Sequence, residues 1–116
     1  MRRPKIEVFA ECFPGNINFG DVDGEVEIGK FFCQLEWKSG GSGNIPTGQR
    51  IKFERYTRMK NGNVVIVVEG DAETMVVSRY CYFWGGKQRR WRDASLDDIQ
   101  DFLRRWVSHI SAEQTA

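Results

Sequence analysis

The chain has 116 residues, 41% hydrophobic and 13% aromatic, with 17 Lys and Arg against 16 Asp and Glu for a formal net charge of +1. That length suits one domain (1–116) with a single core, and the composition excludes a wholly disordered chain. The near-neutral balance excludes a polycation, so any nucleic-acid affinity has to come from local basic patches.

No apolar run approaches the roughly 20 residues a spanning helix needs, and the first residues lack an apolar stretch of signal-peptide length. No membrane association and a cytoplasmic location are therefore expected. The three cysteines, Cys12, Cys33 and Cys81, are widely spaced without a CxxC pair, and His109 is the one imidazole. That pattern argues against zinc, and Cys33 and Cys81, which lie inside apolar strand patterns, are expected to be reduced thiols packed as small core residues.

Ile6, Phe9, Ala10 and Phe13 predict a short helix starting near Pro4, with Glu7 and Glu11 sharing a face. Pro14-Gly15-Asn16 ends it, and a loop leads into GDVDGEVEIGKFFCQLEWK, residues 20–38. This stretch reads as a hairpin turning at Gly29-Lys30. Placing Ile28 opposite Phe31 sets Asp23 opposite Glu36 and Asp21 opposite Lys38. Val22, Val26, Ile28, Phe31, Cys33, Leu35 and Trp37 then form the core face, and Asp21, Asp23, Glu25, Gln34, Glu36 and Lys38 the other. Like charges set across a sheet are destabilising, which a bound divalent cation would relieve.

Residues 39–46 are rich in Gly and Ser and read as a mobile active-site loop. Thr47 is expected to cap a helix over GQRIKFERYTRMK, closed by Asn61-Gly62, with Gln49 in its first turn near the open end of the hairpin. Val64 to Val68, β-branched throughout, predicts a central strand covered on both faces. Met75 to Trp84 predicts a further strand, Gly85-Gly86 a turn, and KQRRWR a possible β-ribbon. Ser95 with Asp98 nearly matches a capping box, opening a helix whose stripe is Leu96, Ile99, Phe102, Leu103, Trp106, Val107 and Ile110. The tail 111–116 is expected to fray. The fold class expected is α/β, a mixed central β-sheet flanked by helices.

An acid at one strand end, Glu-x-Lys on the next and Gly-Gln opening a helix bring together carboxylates, an ammonium and an amide. Mg²⁺ or Mn²⁺ takes oxygen ligands and keeps several waters, which suits Asp23 (or Asp21), Glu36 and the Trp37 carbonyl. Lys38 would orient or deprotonate a water and stabilise a phosphate, the needs of phosphodiester cleavage. Lys87, Arg89, Arg90 and Arg92 around Trp91 suggest phosphate contacts with a stacking surface, and Arg50, Lys52, Arg55 and Arg58 add a second basic group.

Asp21-Val22-Asp23-Gly24, then Leu35-Glu36-Trp37-Lys38, then Gly48-Gln49 resembles the PD-(D/E)XK nuclease superfamily, particularly its small phage-type, Holliday-junction-resolvase-like or VRR-NUC-like members. The resemblance implies a restriction-endonuclease-like core and a Mg²⁺- or Mn²⁺-dependent endonuclease acting on DNA rather than RNA, including branched DNA. It makes Asp21 or Asp23 and Glu36 the metal ligands, Lys38 the catalytic lysine and Gln49 an active-site helix residue. Glu7 or Glu11 is the candidate for a glutamate on the superfamily's first helix. A chain this short implies a homodimer or an accessory partner protein, with the last helix (Phe102, Trp106) or the segment around Trp91 as the interface. The rival expectation is a non-catalytic nucleic-acid-binding or inhibitory module of the same fold.

Overall fold

The computed structural model describes residues 11, 12, 14, 22–39 and 44–115, with the side chains of 113–115 left aside. The expected opening helix, with Glu7, falls almost wholly outside the described residues, as do Asp21 and the Gly40–Gly43 part of the glycine-rich loop.

The elements are β1 (Gly24–Ile28), β2 (Phe31–Lys38), α1 (Thr47–Met59), β3 (Val64–Asp71), β4 (Val76–Trp84), β5 (Lys87–Gln88), β6 (Arg92–Asp93) and α2 (Leu96–Thr115). They build a mixed, mostly antiparallel sheet in the order β1-β2-β3-β4-β5, with β6 also pairing β4. The fold is thus the expected α/β architecture, with a helix on each face. Ile28 pairs Phe31 and Gly24 pairs Leu35, so the hairpin register is the one its alternation predicts. Gly29, at φ +62°, opens its two-residue turn in the left-handed conformation that glycine adopts without strain.

β2 and β3 run parallel, from Cys33 beside Val64 to Lys38 beside Glu69. Parallel neighbours require a crossover, and α1 supplies it. Alternate β3 residues serve opposite faces: Val64, Ile66 and Val68 pack with Ile99, Trp106 and Ile110 of α2, while Val65 and Val67 pack with Phe53 of α1, Cys81 and Phe83. Every residue from Val64 to Val68 is fully buried, as a strand covered on both sides must be.

Several expectations change in detail. Val22 and Val26 are 44% and 48% exposed, because among the described residues β1 is the outer strand and the core on that face is centred on β3 and β4. Pro46, not Thr47, is the N-cap of α1, with extended backbone and no side-chain cap; its carbonyl accepts from Arg50 N at 2.9 Å. The helix stops at an extended Lys60, and Gly62 behind it has φ +111°. β4 starts at Val76 because Met75, at φ +62°, closes a tight turn whose Asp71 Oδ1 accepts from Glu73 N and Thr74 N.

The basic segment is an interrupted strand: β5 pairs Phe83 and Trp84, β6 pairs Arg79 and Tyr80, and Arg89 to Trp91 lie between them. Ser95 and Asp98 form a reciprocal capping box at the start of α2, Ser95 N donating to Asp98 Oδ2 and Asp98 N to Ser95 Oγ. α2 runs on to Thr115, through much of the segment expected to fray. Trp106 is buried and donates from Nε1 to Gly62 O at 2.8 Å, while Val107 turns outward. Among the described residues, no helix is long and apolar enough to cross a membrane.

Candidate active site

Glu36 and Lys38 stand two positions apart on β2 and face the side covered by α1, because the alternate residues Cys33, Leu35 and Trp37 turn into the α2-side core. Gln49 reaches them from the first turn of α1. Lys38 Nζ donates to Gln49 Oε1 at 2.7 Å, and Gln49 Nε2 donates to Glu36 Oε1 at 3.1 Å. The triangle closes with an ion pair of 3.3 Å between Lys38 Nζ and Glu36 Oε1. One amide thus fixes both charged groups. Placing the crossover helix beside the strand end is what brings the sequence-distant Gln49 to the Glu-x-Lys pair.

Asp23 lies just before β1, at the position opposite Glu36 in the hairpin register. Its Oδ2 accepts from Trp37 N at 2.6 Å, in place of a ladder bond that β1 no longer provides. The N–H and C=O of a strand residue leave toward the same edge, so the Trp37 carbonyl also looks toward Asp23. Trp37's ring lies on the other face, donating from Nε1 to Gly70 O at 3.1 Å. Gly70 is needed there: a Cβ would lie 2.5 Å from Val76 O.

Among the described residues no group of three or more His, Cys, Asp and Glu gathers as a ready-made metal cage. The oxygen donors present nonetheless fit a hard divalent cation, which is commonly held by one or two carboxylates and keeps several of its waters. Lys38 and Gln49 both approach Oε1 of Glu36, and the Trp37 amide approaches Oδ2 of Asp23. The second carboxylate oxygens and the Trp37 carbonyl are the atoms suited to hold such an ion.

A second polar set continues along the same face. Gln34 Nε2 donates to Glu25 Oε2 at 2.8 Å, and Tyr56 OH, from α1, donates to the same oxygen at 3.4 Å. Burial first, then the charge and hydrogen bond of Glu25, push the Tyr56 phenol above its ordinary value of 10.0. Burial pushes the thiols of Cys33 and Cys81 up to about 12, as befits inert core cysteines.

The basic residues do not join Lys38 directly. Arg50 is on α1 and pairs with Glu54 at 3.3 Å. Lys87, Arg89, Arg90 and Arg92 are exposed along the far edge of β4, separated from β2 by β3 and β4, about 14 Å at the usual strand spacing. Trp91 is half-buried against the α1-side core cluster, and the Arg79 guanidinium covers its ring at 4.4 Å. His109 is exposed on α2, edge-on to Trp84.

Glu69 and Arg79 did not stand out in the sequence. Glu69 is 7% exposed and accepts from both Nε and Nη2 of Arg79 at 3.2 Å. The available signal was an acid closing the Val64–Val68 run, in step with Val65 and Val67; only the parallel register shows that this puts it beside Lys38. A scan against protein-family models, a search of curated proteins and a search of solved structures each return no match for this chain.

Proposed function

We propose that the chain is a metal-dependent nuclease that hydrolyses phosphodiester bonds in DNA, including branched or structured DNA, with Asp23, Glu36, Lys38 and Gln49 as its catalytic group. The observation that carries this reading is the closed Lys38–Gln49–Glu36 contact with Asp23 at the opposite strand position. A carboxylate pair, a fixed ammonium and an orienting amide at the open end of a sheet match the requirements of phosphodiester hydrolysis, and the resemblance to PD-(D/E)XK nucleases points the same way.

Asp23, Glu36 and the Trp37 carbonyl would hold Mg²⁺ or Mn²⁺, which when bound supplies Lewis acidity, lowering the pKa of a coordinated water and offsetting charge on the phosphate. Lys38 presents its ammonium to the incoming phosphate oxygen or attacking water. Gln49 sets that ammonium's position and keeps Glu36 in one rotamer, so the groups are arranged before substrate arrives. In the reaction, the water oxygen bonds to phosphorus, the bond to one ester oxygen breaks, and a proton ends on that leaving oxygen.

The test is incubation of the purified protein with labelled linear, nicked, flapped, four-way and single-stranded DNA in Mg²⁺, Mn²⁺ or EDTA. Metal-dependent cutting that is lost in Glu36→Ala and Lys38→Ala supports the proposal; no cutting, or cutting by both variants, refutes it. The same cluster also admits the rival reading, because Lys38 and Glu36 neutralise one another; a non-catalytic binding module would retain DNA in every buffer and cut none.

A further inference from the structure

Lys38, Glu69 and Arg79 form one row across β2, β3 and β4, since Lys38 pairs Glu69 and Glu69 pairs Arg79 in register. Residues opposed across a sheet share a face, so the row lies on the face that carries Glu36 and Gln49. Two strand spacings separate Lys38 from Arg79, about 10 Å, which matches the axial rise of roughly three base pairs of duplex DNA.

Arg79 is held on two sides. Its Nε and Nη2 both donate to Glu69 Oε2 at 3.2 Å, and its plane rests 4.4 Å from the centre of the Trp91 ring. Its side chain remains 30% exposed, against 9% for Glu69. A guanidinium carries five N–H donors, so a fork fastened through two of them on a buried acid and an indole presents the rest in a fixed direction with little entropy left to lose. Neutralising Glu69 alone would not require the stacking. Immediately before Trp91 in the chain, Arg89 and Arg90 are exposed.

We infer that Arg79 is a DNA-binding residue that grips a backbone phosphate about 10 Å along the strand row from Lys38, with Glu69 and Trp91 as its positioning residues. The track it defines runs from Lys38 across the strand row to the Arg89–Arg90 excursion. This deepens the DNA reading above and rests on it for the identity of the ligand, though not on turnover.

The test measures binding of a fluorescein-labelled DNA duplex by anisotropy in EDTA, from about 50 to 200 mM salt, where each neutralised phosphate contributes about 0.9 to the slope of log K against log salt. The double variant Arg79→Gln/Glu69→Gln keeps a neutral hydrogen-bonded pair and so avoids stranding a buried charge. The expected result is a slope shallower by up to about 0.9 and an affinity about 3- to 10-fold lower at the lowest salt. Arg105→Gln, on the opposite face, should leave the slope unchanged. In the unaltered protein, phenylglyoxal labelling of Arg79, read by mass spectrometry, should be suppressed by the duplex. An unchanged slope in the double variant, or Arg79 labelled equally with and without DNA, overturns the inference. Failure of the unaltered protein to bind DNA overturns it together with the DNA reading. Binding with the expected slope change but no cutting in Mg²⁺ or Mn²⁺ supports it while removing the nuclease reading.

Discussion

Gln49 accepts the Lys38 ammonium at 2.7 Å, so the helix that links β2 to β3 is fastened at its first turn to the residue proposed to face the phosphate. Gln49→Ala removes that acceptor and the donor to Glu36 without opening the core. DNA cutting by Gln49→Ala should fall about 10- to 100-fold, and by Lys38→Ala about 10²- to 10⁴-fold, the range for a positioned catalytic group. Circular dichroism melts and single-turnover rates check both. Full activity in Lys38→Ala would remove Lys38 from the mechanism.

Asp23 and Glu36 oppose each other as like charges, and Asp23→Asn relieves this while its amide oxygen still accepts from Trp37 N. Without metal, the variant should be as stable as the parent or more stable by about 0.2–1 kcal/mol. The rise in melting temperature on adding Mg²⁺ or Mn²⁺ should disappear, because binding to the native state is what produces such a rise. Thermal melts in EDTA and across a metal titration measure the two effects separately. A parent protein whose melting is indifferent to either ion contradicts the assignment of the carboxylates.

Gly62 is a backbone requirement. Its φ is +111°, a Cβ there would sit 2.3 Å from the Phe31 ring, and its carbonyl accepts from Trp106 Nε1. Gly62→Ala should cost about 2–3 kcal/mol through strain and overpacking, read as a lower urea midpoint at an unchanged slope.

Thr57 bridges α1 and the β4–β5 turn. Its buried Oγ1 donates to Phe53 O at 2.9 Å and accepts from Gly86 N at 3.0 Å. Thr57→Val keeps the shape but leaves that N–H without its acceptor, at a cost of about 1–3 kcal/mol. Urea unfolding measures it, and a neutral result would mean that water replaces the hydroxyl.

Alkali should destabilise the fold in a defined window. The buried thiols of Cys33 and Cys81 have folded values of about 12 against 9.0 for an ordinary thiol. Between those values the folded state keeps protons that the unfolded chain has lost, so stability is fully present below about 9 and falls as pH rises toward 12. Tyr56, also raised, acts in the same direction. Cys81→Val should flatten the decline in urea-derived stability measured across this range. In the native protein a thiol reagent should modify the exposed Cys12 readily, and Cys33 and Cys81 only on unfolding.

Much of the architecture is legible in the sequence because local rules act on it without competition. The Ile28–Phe31 register follows from a glycine turn and strict alternation, the Val64–Val68 run admits only a doubly covered strand, and Ser95 with Asp98 announces a helix start. The shared face of Glu36 and Lys38, and Asp23 opposite Glu36, are legible for the same reason, since strand alternation and register assign them; Gln49 reaches that face only because the crossover helix starts at the strand end. What the sequence does not show depends on partners distant along the chain. Val26 has the parity of a core residue but lies, among the described residues, on an outer strand. Glu69 and Arg79 acquire meaning only from the parallel pairing of β2 with β3. Trp91 reads as a free aromatic among cations until Arg79 is seen to cover it.

The two margins of the sheet differ from its centre in a way that bears on self-association. An unpaired strand margin is a template for adding a strand from another molecule, and proteins blunt such margins with short strands, charges and irregularities. On one side β1 has only five residues, two of them glutamates. On the other, β5 and β6 contribute two residues each, broken by the Arg89–Trp91 excursion. Among the described residues, neither margin offers a long flat ladder on which a second copy could add its sheet end to end. A pairing of copies through side chains on the faces of the sheet would have a geometry set independently of the backbone ladder.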